Sequence, residues 1–123
     1  MFMRGIRGAI TVKSNNRQAI LDSTRKLLSA MIKENKIKVE QIASVIFSVT
    51  KDLNAEFPAA AARQIGWNDT PLLCTCEIAV PGSLKKCIRV LMHVNINKTQ
   101  KAIKHVYLRE AIKLRNSKEE KGN

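Results

Sequence analysis

The sequence predicts an α+β domain, a mixed β-sheet with helices on one face. Three observations lead there. The stretch 17–35 repeats its apolar residues at helical spacing. Several shorter stretches are rich in β-branched and aliphatic residues and are bounded by Gly, Pro, Ser or Asn, the pattern of strands. The resulting order is strand, helix, strand, short helix, strand, strand, then short elements.

The first strand is expected over 1–12, where Phe2, Arg4, Ile6, Gly8, Ile10 and Val12 alternate with Met3, Gly5, Arg7, Ala9 and Thr11. Gly5 and Gly8 predict a bend or bulge in it. Arg7 lies between them. It reads either as a solvent-facing strand charge or as a guanidinium presented where the backbone lets a ligand come close. Ser14, Asn15 and Asn16 are good helix N-caps. Ile20, Leu21, Thr24, Leu27, Leu28, Met31 and Ile32 then mark an amphipathic helix from about Arg17 to Asn35, with Asn35 as its stop. A helical turn over Val39 to Ile42 leads into a strand over Ala43 to Thr50. After the loop Lys51 to Asn54, Pro58 opens a short helix, Gly66 closes it, and Trp67 anchors the turn.

Two apolar strands come next, Leu72–Val80 and Cys87–Val94, joined by a turn at Pro81, Gly82 and Ser83. The segments HVYL and AIKL beyond Asn95 look strand-like, with room for a helical turn before His105. The domain is therefore expected over 1–115. Residues 116–123, NSKEEKGN, have nothing to bury and read as a flexible tail. Both sheet faces read as apolar. One helix layer cannot cover both, so oligomerisation is expected.

At 123 residues the chain fits one domain, and 45% apolar content against 4% aromatic implies an aliphatic core. No apolar run reaches the roughly 18 residues that would span a bilayer, and the N-terminus is too short and interrupted for a secretory signal. An odd count of three cysteines without framework spacing points to a reducing, cytoplasmic compartment. The net charge of +12 invites a nucleic-acid reading. Against it, the lysines are scattered and their richest cluster, Lys113 to Lys121, contains Glu119 and Glu120. Helix-turn-helix, zinc-finger and aromatic-platform patterns are missing as well. A basic surface still favours a small anionic ligand. The competing class is a non-catalytic basic module that binds RNA or an anionic metabolite.

Cys74, Cys76, Cys87, His93 and His105 are the soft metal ligands on offer, but Cys-x-Cys is not zinc-site spacing. Neither a metal nor a cofactor is expected. Nucleophile elbows and phosphate loops are absent, and Cys74 would serve as a nucleophile only beside a base. Four arginines remain, Arg7, Arg63, Arg89 and Arg115, with one carboxylate, Glu77. Glu77 and Arg89 each stand alone among apolar strand residues. They read either as a structural ion pair or as a polar site in an apolar wall. The set suits a small dianion that carries a hydroxyl.

The runs RGIRGAITV, FPAAAARQIGW, CTCE, GSLKKCIRVLMHVN and HVYLREAIKLR, in this order, resemble the monofunctional chorismate mutases of the AroH type. The resemblance extends from Met1 to about Arg115. It implies a homotrimer with a pseudo-α/β-barrel core and sites between subunits. It implies a Claisen rearrangement of chorismate to prephenate on the route to phenylalanine and tyrosine. Within it, Arg89 matches the arginine on the breaking ether oxygen and Glu77 the carboxylate on the ring hydroxyl. Arg7 and Tyr107 match the pair on the side-chain carboxylate. Leu73, Cys74, Thr75, Cys76 and Glu77 match the substrate-lining strand, with Cys74 near the hydroxyl. Phe57, Ala59, Arg63, Leu114 and Arg115 match the rim and the mobile C-terminal cover. A lysine often follows the alanine after Phe-Pro in that family; here Ala60 stands instead.

Overall fold

The structure is a computed structural model, and it describes residues 2–115. The strands are β1 (Phe2–Thr11), β2 (Ile42–Val49), β3 (Leu72–Cys76), β4 (Cys87–Ile96) and β5 (Val106–Leu108). The helices are α1 (Arg17–Asn35) and α2 (Ala59–Gln64), and 3-10 segments cover Val39–Gln41, Gln100–Ala102 and Arg109–Leu114. The strands form one sheet in the order β3-β2-β4-β1-β5. Strand β4 runs antiparallel to both β1 and β2, while β3 on β2 and β5 on β1 are parallel. This is the mixed sheet of an α+β fold.

Helix α1 starts where Asn16 accepts the Ala19 N–H at 2.8 Å, which satisfies one free donor of the first turn. It buries Ile20, Leu27, Leu28 and Met31 in one core with Ile6, Ile10, Phe47, Ile88, Val90 and Met92. Those six strand residues share one sheet face by register. Gly8 lies on that face. A Cβ there would collide with Met31 Sδ and come within 3.2 Å of Leu27 Cδ1, so glycine lets the helix sit close to β1. At the far end Lys36 closes α1 in the left-handed conformation, φ 52°. Asn35 is a fully buried bridge: its amide donates to the Met31 and Lys104 carbonyls at 2.9 Å. Trp67 is buried behind Gly66, as the turn-anchor reading expects.

Five expectations need correction. Strand β1 pairs with β4 without interruption from Phe2 to Thr11, so Gly5 and Gly8 make no bulge; the irregularity lies in β2, between Ile42 and Ser44. The two strands around the Pro-Gly-Ser turn are not neighbours, because β2 inserts between them. Strand β3 stops at Cys76, and Ile78, 82% exposed, belongs to the connection rather than to a strand. The AIKL segment is 3-10 helix, since Arg109 turns the chain at φ 55°. The sheet face away from α1 is not uniformly apolar: Arg7, Ser48 and Arg89 lie there beside Ala9, Ile46 and Leu91. The expected tail over 116–123 lies outside the described residues.

Candidate active site

Register places Tyr107, Ala9, Arg89, Ser48 and Thr75 side by side across all five strands, on the face opposite α1. The next row holds Arg7, Leu91, Ile46 and Leu73. Arg7 and Arg89 are therefore diagonal neighbours, about 7–8 Å apart at the backbone. Glu77 follows β3 directly and is held by its N–H to the Val49 carbonyl at 2.8 Å. Its Oε2 lies 3.8 Å from Arg89 Nε. Arg7, Gly8, Ile46, Ser48, Glu77, Arg89, Val90 and Leu91 enclose a hollow of ≈ 250 Å³. A larger hollow of ≈ 440 Å³ lies beyond Glu77 along 77–85, but no arginine lines it. The hollow lined by both Arg7 and Arg89 is the one suited to a dianion.

Neither charge is deeply buried: the side chains of Arg89 and Glu77 keep 23% and 26% of their exposure. That leaves the pair accessible to a ligand and keeps its desolvation cost moderate. The 77–86 connection that carries Glu77 is tied down at its end. Asp52 accepts the Lys86 N–H at 3.0 Å, and Thr50 Oγ1 accepts the Cys87 N–H at 3.0 Å.

Near the hollow, Tyr107, Ala9, Cys87, Ala111 and Leu114 form a small buried cluster. The Arg115 guanidinium lies 5.9 Å from the Tyr107 ring centre. The 3-10 segment Arg109–Leu114 thus carries the C-terminal residues of the predicted site back over the sheet.

A second group stands apart. Cys74 and Cys76 pair with Phe47 and Val49, so they point to the α1 side of the sheet, opposite to Thr75. Cys74 therefore does not sit beside Glu77. It neighbours α2 instead, with burial pushing its thiol pKa up against the opposing pull of an Ala59 backbone hydrogen bond and the Arg63 charge. Cys74, Thr75 and Cys76 share a groove with Phe57 and Pro58. Phe57 is 67% exposed and Leu73 61%, far more than such side chains show in a core. Ala59 is buried under α2 and Arg63 is exposed on it.

The single chain thus gathers Arg7, Glu77, Arg89, Tyr107, Leu114 and Arg115 on one face and leaves Phe57, Ala59, Arg63, Cys74 and Cys76 on the other side of β3. Sequence reasoning overlooked Ser48, which lines the hollow beside Arg89. Its signal was the alternation of Ser44, Ile46 and Ser48 against Val45, Phe47 and Val49 in β2.

Comparison with known proteins identifies the family. Residues 3–118 match the family chorismate mutase type I. Chorismate mutase AroH of Thermus thermophilus is 53% identical over 114 residues, 92% of this chain and 93% of that one. Chorismate mutase AroH of Bacillus subtilis is 46% identical, covering 94% and 91% respectively. A chorismate mutase structure from Clostridium thermocellum superposes with a TM-score of 0.87 at 56% identity, over 88% of this chain and 96% of that one. With a family match across nearly all of its length and relatives this similar, the chain belongs to the type I chorismate mutases.

Proposed function

We propose that this chorismate mutase converts chorismate to prephenate, for phenylalanine and tyrosine synthesis, in the hollow lined by Arg7, Glu77 and Arg89. The observation that carries the reading is the Arg89–Glu77 pair, 3.8 Å apart with Arg7 on the same wall. Arg89 meets the ether oxygen, whose negative charge grows as the C–O bond lengthens. Its attraction is therefore stronger in the transition state than in the ground state. Glu77 accepts the ring hydroxyl, and Arg7 with Tyr107 holds the side-chain carboxylate. Together they select the folded, diaxial conformer and so supply orientation. The rearrangement is pericyclic: one C–O bond breaks and one C–C bond forms within the same molecule. It moves no proton and calls for no nucleophile, metal or cofactor.

The second group of residues completes the site from a neighbouring subunit. In this reading the protein is a homotrimer with a pseudo-α/β-barrel core. Phe57, Ala59, Arg63, Cys74 and Cys76 of one copy face Arg7, Glu77, Arg89 and Tyr107 of the next, with Leu73 and Thr75 on the edge strand β3 between the two groups. The exposure of Phe57 and Leu73 and the split across β3 support it. Leu114 and Arg115 cover the mouth. The free thiols of Cys74 and Cys76 accord with a cytoplasmic location. Among the described residues no helix is long and apolar enough to cross a membrane.

The test is a citrulline at position 89, which keeps shape and hydrogen bonding but removes the charge. Chorismate loss followed by absorbance should slow on the order of a hundred- to a thousand-fold in kcat. A folded citrulline variant with wild-type kcat would exclude charge stabilisation.

A further inference from the structure

We infer that His105 is a positioning residue for Arg7: its ring nitrogen replaces a strand carbonyl and fixes the backbone from which the Arg7 guanidinium reaches the substrate carboxylate. Strand β5 begins only at Val106, opposite Gly8. One residue earlier on β1, the Arg7 N–H donates to His105 Nδ1 at 2.9 Å. In a regular parallel ladder a main-chain carbonyl would take that N–H. Because Nδ1 accepts, it carries no proton.

The backbone that leads into His105 is itself anchored. Lys104, the preceding residue, gives its N–H to Asn35 Oδ1 and receives the Asn35 amide on its carbonyl, both at 2.9 Å. Asn35 is fully buried at the end of α1, and its own carbonyl accepts Lys98 Nζ at 2.8 Å. A side-chain clamp on the main helix thus fixes the residue before His105, and His105 fixes Arg7. Two residues beyond His105 stands Tyr107, which shares the carboxylate with Arg7 in the reading above. A shift at 105 therefore reaches both carboxylate ligands while leaving Arg89, on β4, and Glu77, bonded to Val49 of β2, in place. The signature is weakened substrate capture.

The inference rests on Arg7 contacting substrate, so Arg7→Ala is measured beside the His105 variants. Asparagine places its Oδ1 where His Nδ1 lies; glutamine places its oxygen one bond too far; leucine offers none. His105→Leu and His105→Gln should lose about tenfold or more in kcat/KM, chiefly through KM, since small misplacements of a positioning group are costly. His105→Asn should stay within about twofold of wild type, and His105→Leu should cost clearly less in the Arg7→Ala background than in the wild type. If leucine fails to fold, the asparagine–glutamine contrast decides alone. Equal losses in asparagine and glutamine, wild-type kinetics in a folded leucine variant, or additive losses with Arg7→Ala would each overturn the inference. Wild-type kinetics in Arg7→Ala itself would instead remove the reading of Arg7, and the inference with it.

Discussion

Gly8 and Met31 compete for one volume at the centre of the helix-covered face. Met31 is fully buried, so its sulfur has little room to retreat from an added Cβ. Gly8→Ala should cost about 1–3 kcal/mol in chemical denaturation at fixed protein concentration, the usual penalty of overpacking. Gly5→Ala should cost less, because its Cβ meets only Leu91 Cδ1, at 3.4 Å. Both glycines were visible in the sequence, but their cause was not. A glycine in a strand signals either a bulge or a close approach, and only the partner across the core decides between them. Cys74 makes the same point. Alternation predicts that it and Thr75 face opposite ways, yet which face holds the site depends on the register with β2. Burial raises its pKa, so at neutral pH it is less ionised than an ordinary thiol. The associated stability is complete below the ordinary thiol pKa and is lost as pH rises through the raised one. Iodoacetamide near pH 8 should therefore label exposed Cys76 well before Cys74, as peptide mass mapping would reveal. Labelling of Cys74 first would contradict that microenvironment.

The 3-10 segment Arg109–Leu114 is the element that composition alone could not assign. Its apolar residues are too few to distinguish a strand from a turn of helix. The decision comes from tertiary hydrogen bonds. Arg109 Nη1 donates to the Thr11 carbonyl and to Ser23 Oγ, both at 2.9 Å, and the Glu110 N–H donates to Thr11 Oγ1 at 3.2 Å. These bonds turn the chain off β5 and lay Ala111 and Leu114 over Tyr107. By contrast α1 was legible to its ends, because a helix of this length carries its own periodicity and its own Asn16 cap. Leu114 is buried while Arg115 is exposed, with its guanidinium 5.9 Å from the Tyr107 ring centre. Truncation after Leu114 should thus leave the fold intact and raise KM more than it lowers kcat, the pattern of lost uniform binding. A collapse of kcat at constant KM would instead place Arg115 among the groups that act on the transition state.

At the scale of the whole molecule, the arginines that the sequence groups together are separated by the sheet. Arg89 and Arg7 stand on the face opposite α1, while Arg63 is carried by α2 on the α1 side. A single chain leaves these two groups apart. A ring of three identical chains can bring them together, because head-to-tail contacts present different patches of each copy to its neighbours. This arrangement makes a prediction that no single-chain site shares. Arg89→Ala should be inactive for want of the cation on the ether oxygen, and Arg63→Ala should be impaired at the rim. In the proposed homotrimer, the two variants unfolded together in equal amounts and refolded would form mixed trimers. A site is intact only where an Arg63→Ala chain supplies Arg89 and an Arg89→Ala chain supplies Arg63. Random assembly in a closed ring makes that about one site in four. Recovery of about a quarter of wild-type activity, above either variant alone and in a species that light scattering sizes at three chains, is the expected result. If mixing restores nothing while mixed trimers demonstrably form, both arginines serve a site within one chain, or Arg63 serves none.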